Sequence, residues 1–246
     1  MIIKQFIGHS GAVVNLIDQS GQLLVEKHGP GTDRNHAQMH ALANIVAQPD
    51  IVSYKNEQLV MEYIPSTDMI HYLINENRTP LINFIKSTYT ALVNTVYESA
   101  KDYLPMYERR LNAAEWLPAS VGEIIALLPR YLPQTLYHGD FTLNNILYDY
   151  NNARFVLIDA VSTDFDSVHF DISKLRQDLS CEWFVRNSDV LLSNRLLTIS
   201  EELESHCEYY NNNAMAILTL LRVWPYSSES DKKWLAEQLD KLWKQR

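Results

Sequence analysis

The stretch "YHGDFTLNNILYDYNNARFVLIDA", residues 137–160, constrains this chain more than any other. Two short apolar runs, "NILY" at 145–148 and "FVLID" at 155–159, flank Asp149-Tyr150-Asn151-Asn152-Ala153. Asp and Asn tolerate turn backbones, so the simplest local structure is an antiparallel hairpin. Folding the runs together pairs Tyr148 with Phe155 and Asn145 with Ile158. Asn145 and Asp159 then stand side by side at the open end, and Asp140 lies on the loop that enters it. Asn and Asp oxygens are hard ligands suited to Mg2+, and a further carboxylate nearby can accept a proton from a hydroxyl group. The same residues serve equally well as loop caps. Spacing alone does not separate the two readings.

The flanking sequence divides in character. Within the first 64 residues, "AVVNLI" and "QLLVEK" read as strands separated by the turn signal "DQSG" at 18–21. "GPGTDR" breaks the chain, and Thr32 or Asp33 can cap a helix over residues 34–46. "IVSYK" and "QLVMEYI" follow as two more strands joined by Asn56-Glu57, and Pro65-Ser66-Thr67 closes the region. Beyond it Leu81, Ile82, Ile85, Tyr89, Leu92 and Val96 recur at helical spacing. "VGEIIALLPRYL" and the last third of the chain are also helix-like. The expected organisation is a small β-rich N-terminal lobe, a connector near 62–68 and a larger helical lobe. The 137–160 stretch is the main β island of that second lobe.

His138-Gly139-Asp140 followed by Asn145 matches H-x-D-x-x-x-x-N, and Asp159 closes the following strand. The H-G-D form, with "LID" where protein kinases carry D-F-G, resembles the aminoglycoside phosphotransferase and choline kinase branch of the protein-kinase-like fold. The resemblance implies an α+β, bilobal fold: residues 1–64 form an antiparallel N-lobe with one helix, the hinge spans about 61–68, and residues 65–246 form a mainly helical C-lobe. It implies ATP and Mg2+ as cofactors, with Asp140 as the catalytic base and Asn145 and Asp159 as metal ligands. By the same resemblance Gly8, Ser10 and Gly11 in "IGHSGAV" cover the phosphates, and Lys27 contacts them. Met61, Glu62 and Ile64 in "MEYI" line the adenine site, and His138 and Asp171 are structural supports. Asp171, opening "DISKLRQDL", is also expected to be a helix N-cap. Strand alternation turns Glu26 away from Lys27. The family's helix after the lysine strand carries a glutamate for that lysine, whereas "RNHAQMHALANIV" holds no acid. Only Asp33 or Gln38 could substitute.

The function implied is phosphoryl transfer from ATP to a hydroxyl of a small acceptor such as a sugar, an amino alcohol or an aminoglycoside-like molecule. A nucleotide-binding pseudokinase and, further off, a metal-dependent phosphoesterase using His138, Asp140 and Asp159 are the competing readings. "DSVHFDISKLRQDL" further resembles phosphotransferases associated with surface-polysaccharide synthesis, which favours a sugar or amino-alcohol acceptor. Acids at 200–210, or an aromatic cage of Tyr209, Tyr210, Trp224 and Tyr226, could bind a cationic acceptor, although both patterns are commoner as solvated faces and core. A formal charge of −9 argues against nucleic acid or anionic membranes as partners. Cys181 and Cys207 lack any paired spacing, and the opening seven residues do not read as a signal peptide. The mainly apolar run at 214–221 is far short of the ~20 residues that span a bilayer. A cytoplasmic protein is expected.

Overall fold

Two tight turns organise the N-terminal sheet. The computed structural model describes residues 1–6, 11–188 and 192–245. After β1 (Ile2–Phe6), strands β2 (Val13–Gln19) and β3 (Gln22–His28) meet at Ser20-Gly21. Both turn residues have positive φ, +57° and +86°, which matches the right-handed twist of the paired strands. Asp18 Oδ1 accepts the Gly21 N–H at 2.7 Å. The turn is thus two residues long, and β2 continues through Asp18 and Gln19, which the sequence reading gave to the turn. Helix α1 (Thr32–Leu42) follows, then β4 (Ile51–Lys55) and β5 (Gln58–Glu62), joined by Asn56-Glu57 with φ of +53° and +58°. The sheet is antiparallel, in the order β1-β2-β3-β5-β4.

Helix α1 starts earlier than expected and ends sooner. Its N-cap is Gly31 at φ +83°, so Thr32 is already helical and its hydroxyl donates back to the Gly29 carbonyl at 2.7 Å. Gly29 and Gly31 on either side of Pro30 supply the left-handed backbone that turns the chain into the helix. At the other end Asn44 takes φ +67° and stops the helix before residue 46.

The chain then forms β6 (Ser66–Thr67) and α2 (Met69–Asn75), the latter capped by Asp68, which accepts from His71 N at 2.7 Å. Helix α3 (Thr79–Val93) buries the expected stripe from Leu81 to Leu92, while Val96 lies beyond it and is exposed. Strand β7 (Glu98–Asp102) and helices α4 (Leu104–Asn112) and α5 (Val121–Ile125) come next. Only the first part of "VGEIIALLPRYL" is helical. Tyr131 and Leu132 belong to β8 (Tyr131–Gln134), which pairs with β7, because Pro129 ends any helical continuation.

The 145–158 hairpin forms with the expected register. In β9 (Ile146–Asp149) and β10 (Arg154–Leu157), Tyr148 pairs with Phe155, and the Ile158 N–H donates to the Asn145 carbonyl at 3.0 Å. Strand β6 adds to β9, giving the order β10-β9-β6. Helix α6 (Val168–Leu179) is buried along its whole length, and α7 (Ser193–Glu204), α8 (Asn213–Leu221) and α9 (Glu229–Lys244) complete the chain. The N-cap of α6 is Ser167, so Asp171 sits inside the first turn rather than capping it.

By contacts the chain divides into two compact units. One holds Met1–Glu76, His138–Asp140 and Asn144–Thr163; the other holds Asn77–Tyr137, Phe141–Leu143 and Asp164–Arg246. The hairpin therefore groups with the N-terminal sheet. The core of the first unit includes Leu24, Met39, Leu42, Leu59 and Leu73. In the second, Tyr103, Phe165, Phe170, Met215 and Leu218 share a core with Leu235 and Leu239. Each such side chain contributes about 1.5–3 kcal/mol by leaving water.

Candidate active site

Gly139 fixes the shape of the loop that precedes the hairpin. It has φ +87°, and a Cβ at this position would overlap the carbonyl oxygen of Val161. The neighbouring Val161 N–H donates to the His138 carbonyl at 2.9 Å, which ties the loop to the segment after β10. His138 is fully buried, and that burial pushes its imidazole below the usual histidine pKa, against the opposing pull of Asp140 and Asp159. It is a neutral anchor at neutral pH.

Asp140 emerges half-buried from this anchored loop. The Asn145 amide clasps it twice, Nδ2 donating to the Asp140 main-chain oxygen at 2.8 Å and to Oδ2 at 2.9 Å. With the amide nitrogen so engaged, the carbonyl oxygen of Asn145 is the end that can meet a cation. Asn144 is exposed.

Lys27 and Asp159 meet from opposite ends of the unit's sequence. Lys27 is buried on β3, between Val14 and Leu59 in register, and its ammonium donates to Asp159 Oδ1. Glu26 faces away, as alternation requires, and accepts from Asn15 at 3.3 Å and Gln58 at 2.6 Å. The acid paired with Lys27 is therefore not Asp33, which is exposed. It is a carboxylate 132 residues away. Asp159 has left-handed backbone, φ +61°, and its side chain remains 46% exposed.

A residue the sequence reading missed completes this arrangement. Asn35, buried in the first turn of α1, donates through Nδ2 to Asp159 Oδ1 at 3.1 Å and to the Ala160 carbonyl at 2.7 Å. An Asn near a helix start reads as a cap, and only the folded chain shows what it reaches.

The remaining candidates fall as follows. Gly8 and Ser10 lie outside the described residues, and Gly11 has φ +78° with open space around it. Met61 and Ile64 are buried, and the Glu62 N–H donates to the Asp50 carbonyl at 2.9 Å. Asp171 is buried in the second unit. The proposed aromatic cage does not assemble: Tyr210 is buried and donates to Ser200, Trp224 stacks on Trp116, Tyr209 packs against His169, and Tyr226 is 85% exposed. Of the acids at 200–210, Glu202 pairs with Lys86 on an exposed helix face.

Among the described residues no cluster of three His, Cys, Asp or Glu side chains is arranged around a metal position. The oxygens of Asn145 and Asp159 are a different donor set. One carboxylate and one amide oxygen, beside a buried lysine, suit a Mg2+ ion that takes its other ligands from water and phosphate. The residues fit that group. No helix among the described residues is long and apolar enough to cross a membrane.

Residues 94–205 match the phosphotransferase enzyme family. No curated protein matches the sequence. Several solved structures share the fold. A candidate fructosamine-3-kinase from Haemophilus somnus 129PT aligns at TM-score 0.63 and 10% identity, over 98% of this chain and 90% of that one. A choline/ethanolamine kinase family protein from Mesorhizobium loti aligns at 0.59 and 13%, over 97% and 86%. A thermostable mutant of aminoglycoside phosphotransferase APH(4)-Ia, in ternary complex with ADP and hygromycin B, aligns at 0.63 and 14%, over 97% and 92%. The family match covers part of the chain, and the alignments show the fold. By family match over residues 94–205 and by fold over nearly its whole length, this is an α+β chain of protein-kinase-like fold, similar to the aminoglycoside phosphotransferase and choline kinase branch of the phosphotransferase enzymes.

Proposed function

We propose that this chain transfers the γ-phosphoryl group of ATP, with Mg2+, to a hydroxyl of a small acceptor. One observation carries the reading. Positions 27, 140, 145 and 159 bring a buried ammonium, a half-buried carboxylate and two hard-oxygen side chains into one compact unit. Asp140 accepts the proton of the acceptor hydroxyl as its oxygen attacks phosphorus, and the Asn145 clasp keeps that carboxylate oriented. Lys27 sets its charge against the phosphate oxygens, and its ion pair with Asp159 holds the ammonium without the α1 acid, Asp33, which is exposed. Asn145 and Asp159 would hold the metal through oxygen. A bound Mg2+ supplies charge neutralisation and orientation of the phosphates. Met61, Glu62 and Ile64 line the adenine site in this reading, and Gly8, Ser10 and Gly11 cover the phosphates. His138 supports the loop and transfers no proton.

The named relatives point to hydroxyl-bearing amines and sugars. A formal charge of −9 is compatible with a cationic acceptor, and a sugar or amino alcohol is the first choice. Cys181 and Cys207 are both buried free thiols, which suits a reducing cytosol.

The test is acceptor-dependent ADP release, with Mg2+ and ATP, across sugars, amino alcohols and aminoglycosides. Asp140→Ala should lower turnover about 10²–10⁴-fold, the range typical of general-base removal, while ATP still binds. ATP binding with no turnover on any acceptor would instead make the chain a pseudokinase. Full activity in Asp140→Ala would remove the proposed base.

A further inference from the structure

Helix α1 gives its first turn to Asp159 rather than to Lys27. Its acid, Asp33, is exposed, while Asn35 is buried and spends its amide on Asp159 Oδ1 and the Ala160 carbonyl. The Ser162 N–H, donating to the Arg34 carbonyl at 3.4 Å, ties the same short segment to the same turn of helix. Asp159 needs this hold. Strand β10 ends at Leu157, so no ladder pairing fixes the residue, and its left-handed backbone is unfavourable for a non-glycine.

Lys27 and Asn35 both donate to Oδ1, and neither bond falls on Oδ2. The side chain is nevertheless 46% exposed, which leaves room for a ligand at the carboxylate. The two donors differ in what else is asked of them. An ammonium recruited by phosphate oxygens loosens its grip on Asp159, whereas a neutral amide held in a helix does not. We propose that Asn35 is a positioning residue for metal binding: it fixes Oδ1 of Asp159 so that Oδ2 is presented to Mg2+ when Lys27 turns to the nucleotide. This rests on the reading of Asp159 as a metal-binding carboxylate. The helix thereby orients the metal ligand instead of the lysine.

The experiment follows binding of a fluorescent ATP analogue to the full chain, once in EDTA and once in a Mg2+ titration, together with Tm. Asn35→Ala should raise the Mg2+ concentration for half-maximal response about tenfold or more, as loss of a group that orients a ligand does. Metal-free binding of the analogue should stay within about twofold. Asn35→Ser, which is polar but too short to reach Asp159, should do the same, and carries the test if the alanine variant does not fold. A role confined to packing would lower Tm and weaken binding equally with and without metal, and that result overturns the proposal. So does an unchanged Mg2+ midpoint in a folded variant, or failure of both variants to fold. If the unaltered chain binds the analogue with no response to Mg2+, the magnesium-dependent reading falls as well. A normal Mg2+ response in the unaltered chain together with an unchanged midpoint in the variants removes only the role of Asn35.

Discussion

A side chain at position 139 has nowhere to go. Its Cβ would enter the Val161 carbonyl, whose peptide is tied through the Ser162 N–H to the Arg34 carbonyl, and φ of +87° is unfavourable for any residue with a Cβ. Gly139→Ala should therefore cost on the order of 3 kcal/mol, combining backbone strain and overpacking, and should displace Asp140. Urea unfolding measures the first effect. A wild-type denaturation midpoint would mean that the loop relaxes freely and that glycine is not required. The roles given to Asp140, Asn145 and Asp159 came from a resemblance, but their convergence at one end of the hairpin was legible in local spacing. The partners of Lys27 and Asn35 were not. Each reaches across more than a hundred residues, 132 and 124, and nothing in a helix's own periodicity reports what a buried amide will touch. Helix α1 follows Lys27 directly in sequence, but the carboxylate that the lysine meets comes from the end of the hairpin.

At the scale of elements, the 149–153 turn shows why the hairpin was readable. Asp149 is buried, and its carboxylate accepts the N–H groups of Asn151 at 3.1 Å and Asn152 at 3.3 Å, the Asn152 side-chain amide at 2.7 Å and Arg154 Nε at 3.3 Å. The Asn152 bond holds its pKa below the usual carboxylate value, helped by Arg154 and opposed by burial. Removing this acceptor leaves several donors without a partner, so Asp149→Ala should destabilise the chain by about 2 kcal/mol at pH 7. The effect should shrink near pH 3. A carboxylate with a depressed native pKa stabilises above its unfolded value, about 3.9, and loses that contribution as pH falls through the native value. Equal Tm for the variant and the unaltered chain at pH 7 would contradict this account. Other elements hid themselves. Strand β7 reads "ESAKD", with no apolar alternation, and β8 carries Pro133, so neither sends a strand signal. In helix α6, Ile172, Leu175 and Leu179 share one helical face, yet His169, Ser173, Arg176, Gln177 and Asp178 are buried as well. Some of that polarity is matched within the unit. Arg176 donates to Asn213 at 2.6 Å, and Asp178 accepts the Leu143 N–H at 2.7 Å.

For the molecule as a whole, two buried histidines in two different units set a shared pH limit. Burial lowers the pKa of both His138 and His169; nearby carboxylates pull His138 back, and Glu208 does so for His169, without prevailing. The sign follows directly. When a histidine's native pKa lies below its unfolded value, about 6.5, the unfolded chain binds more protons. Stability is then complete above that value and declines as pH falls below it. Each such group can remove at most about 1.4 kcal/mol per pH unit, so the pair should lower stability by up to about 2 kcal/mol between pH 7 and pH 5.5. Depressed carboxylates such as Asp149, and Asp164 beside Arg110 and Arg109, act only near and below pH 4 and leave this window clear. Thermal melts at pH 7.5 and 5.5 read the effect, and His169→Phe separates the two units' shares. Phenylalanine keeps the ring contacts with Tyr89 and Tyr209 but cannot be protonated. It should remove the His169 share of the pH dependence and leave the part belonging to His138, the residue that anchors the Asp140 loop. A Tm flat from pH 7.5 to 5.5 in the unaltered chain would mean that both imidazoles take up protons without unfolding. His138 would then be a cation beside Asp140, and the loop would carry a charge that the proposed proton transfer does not include.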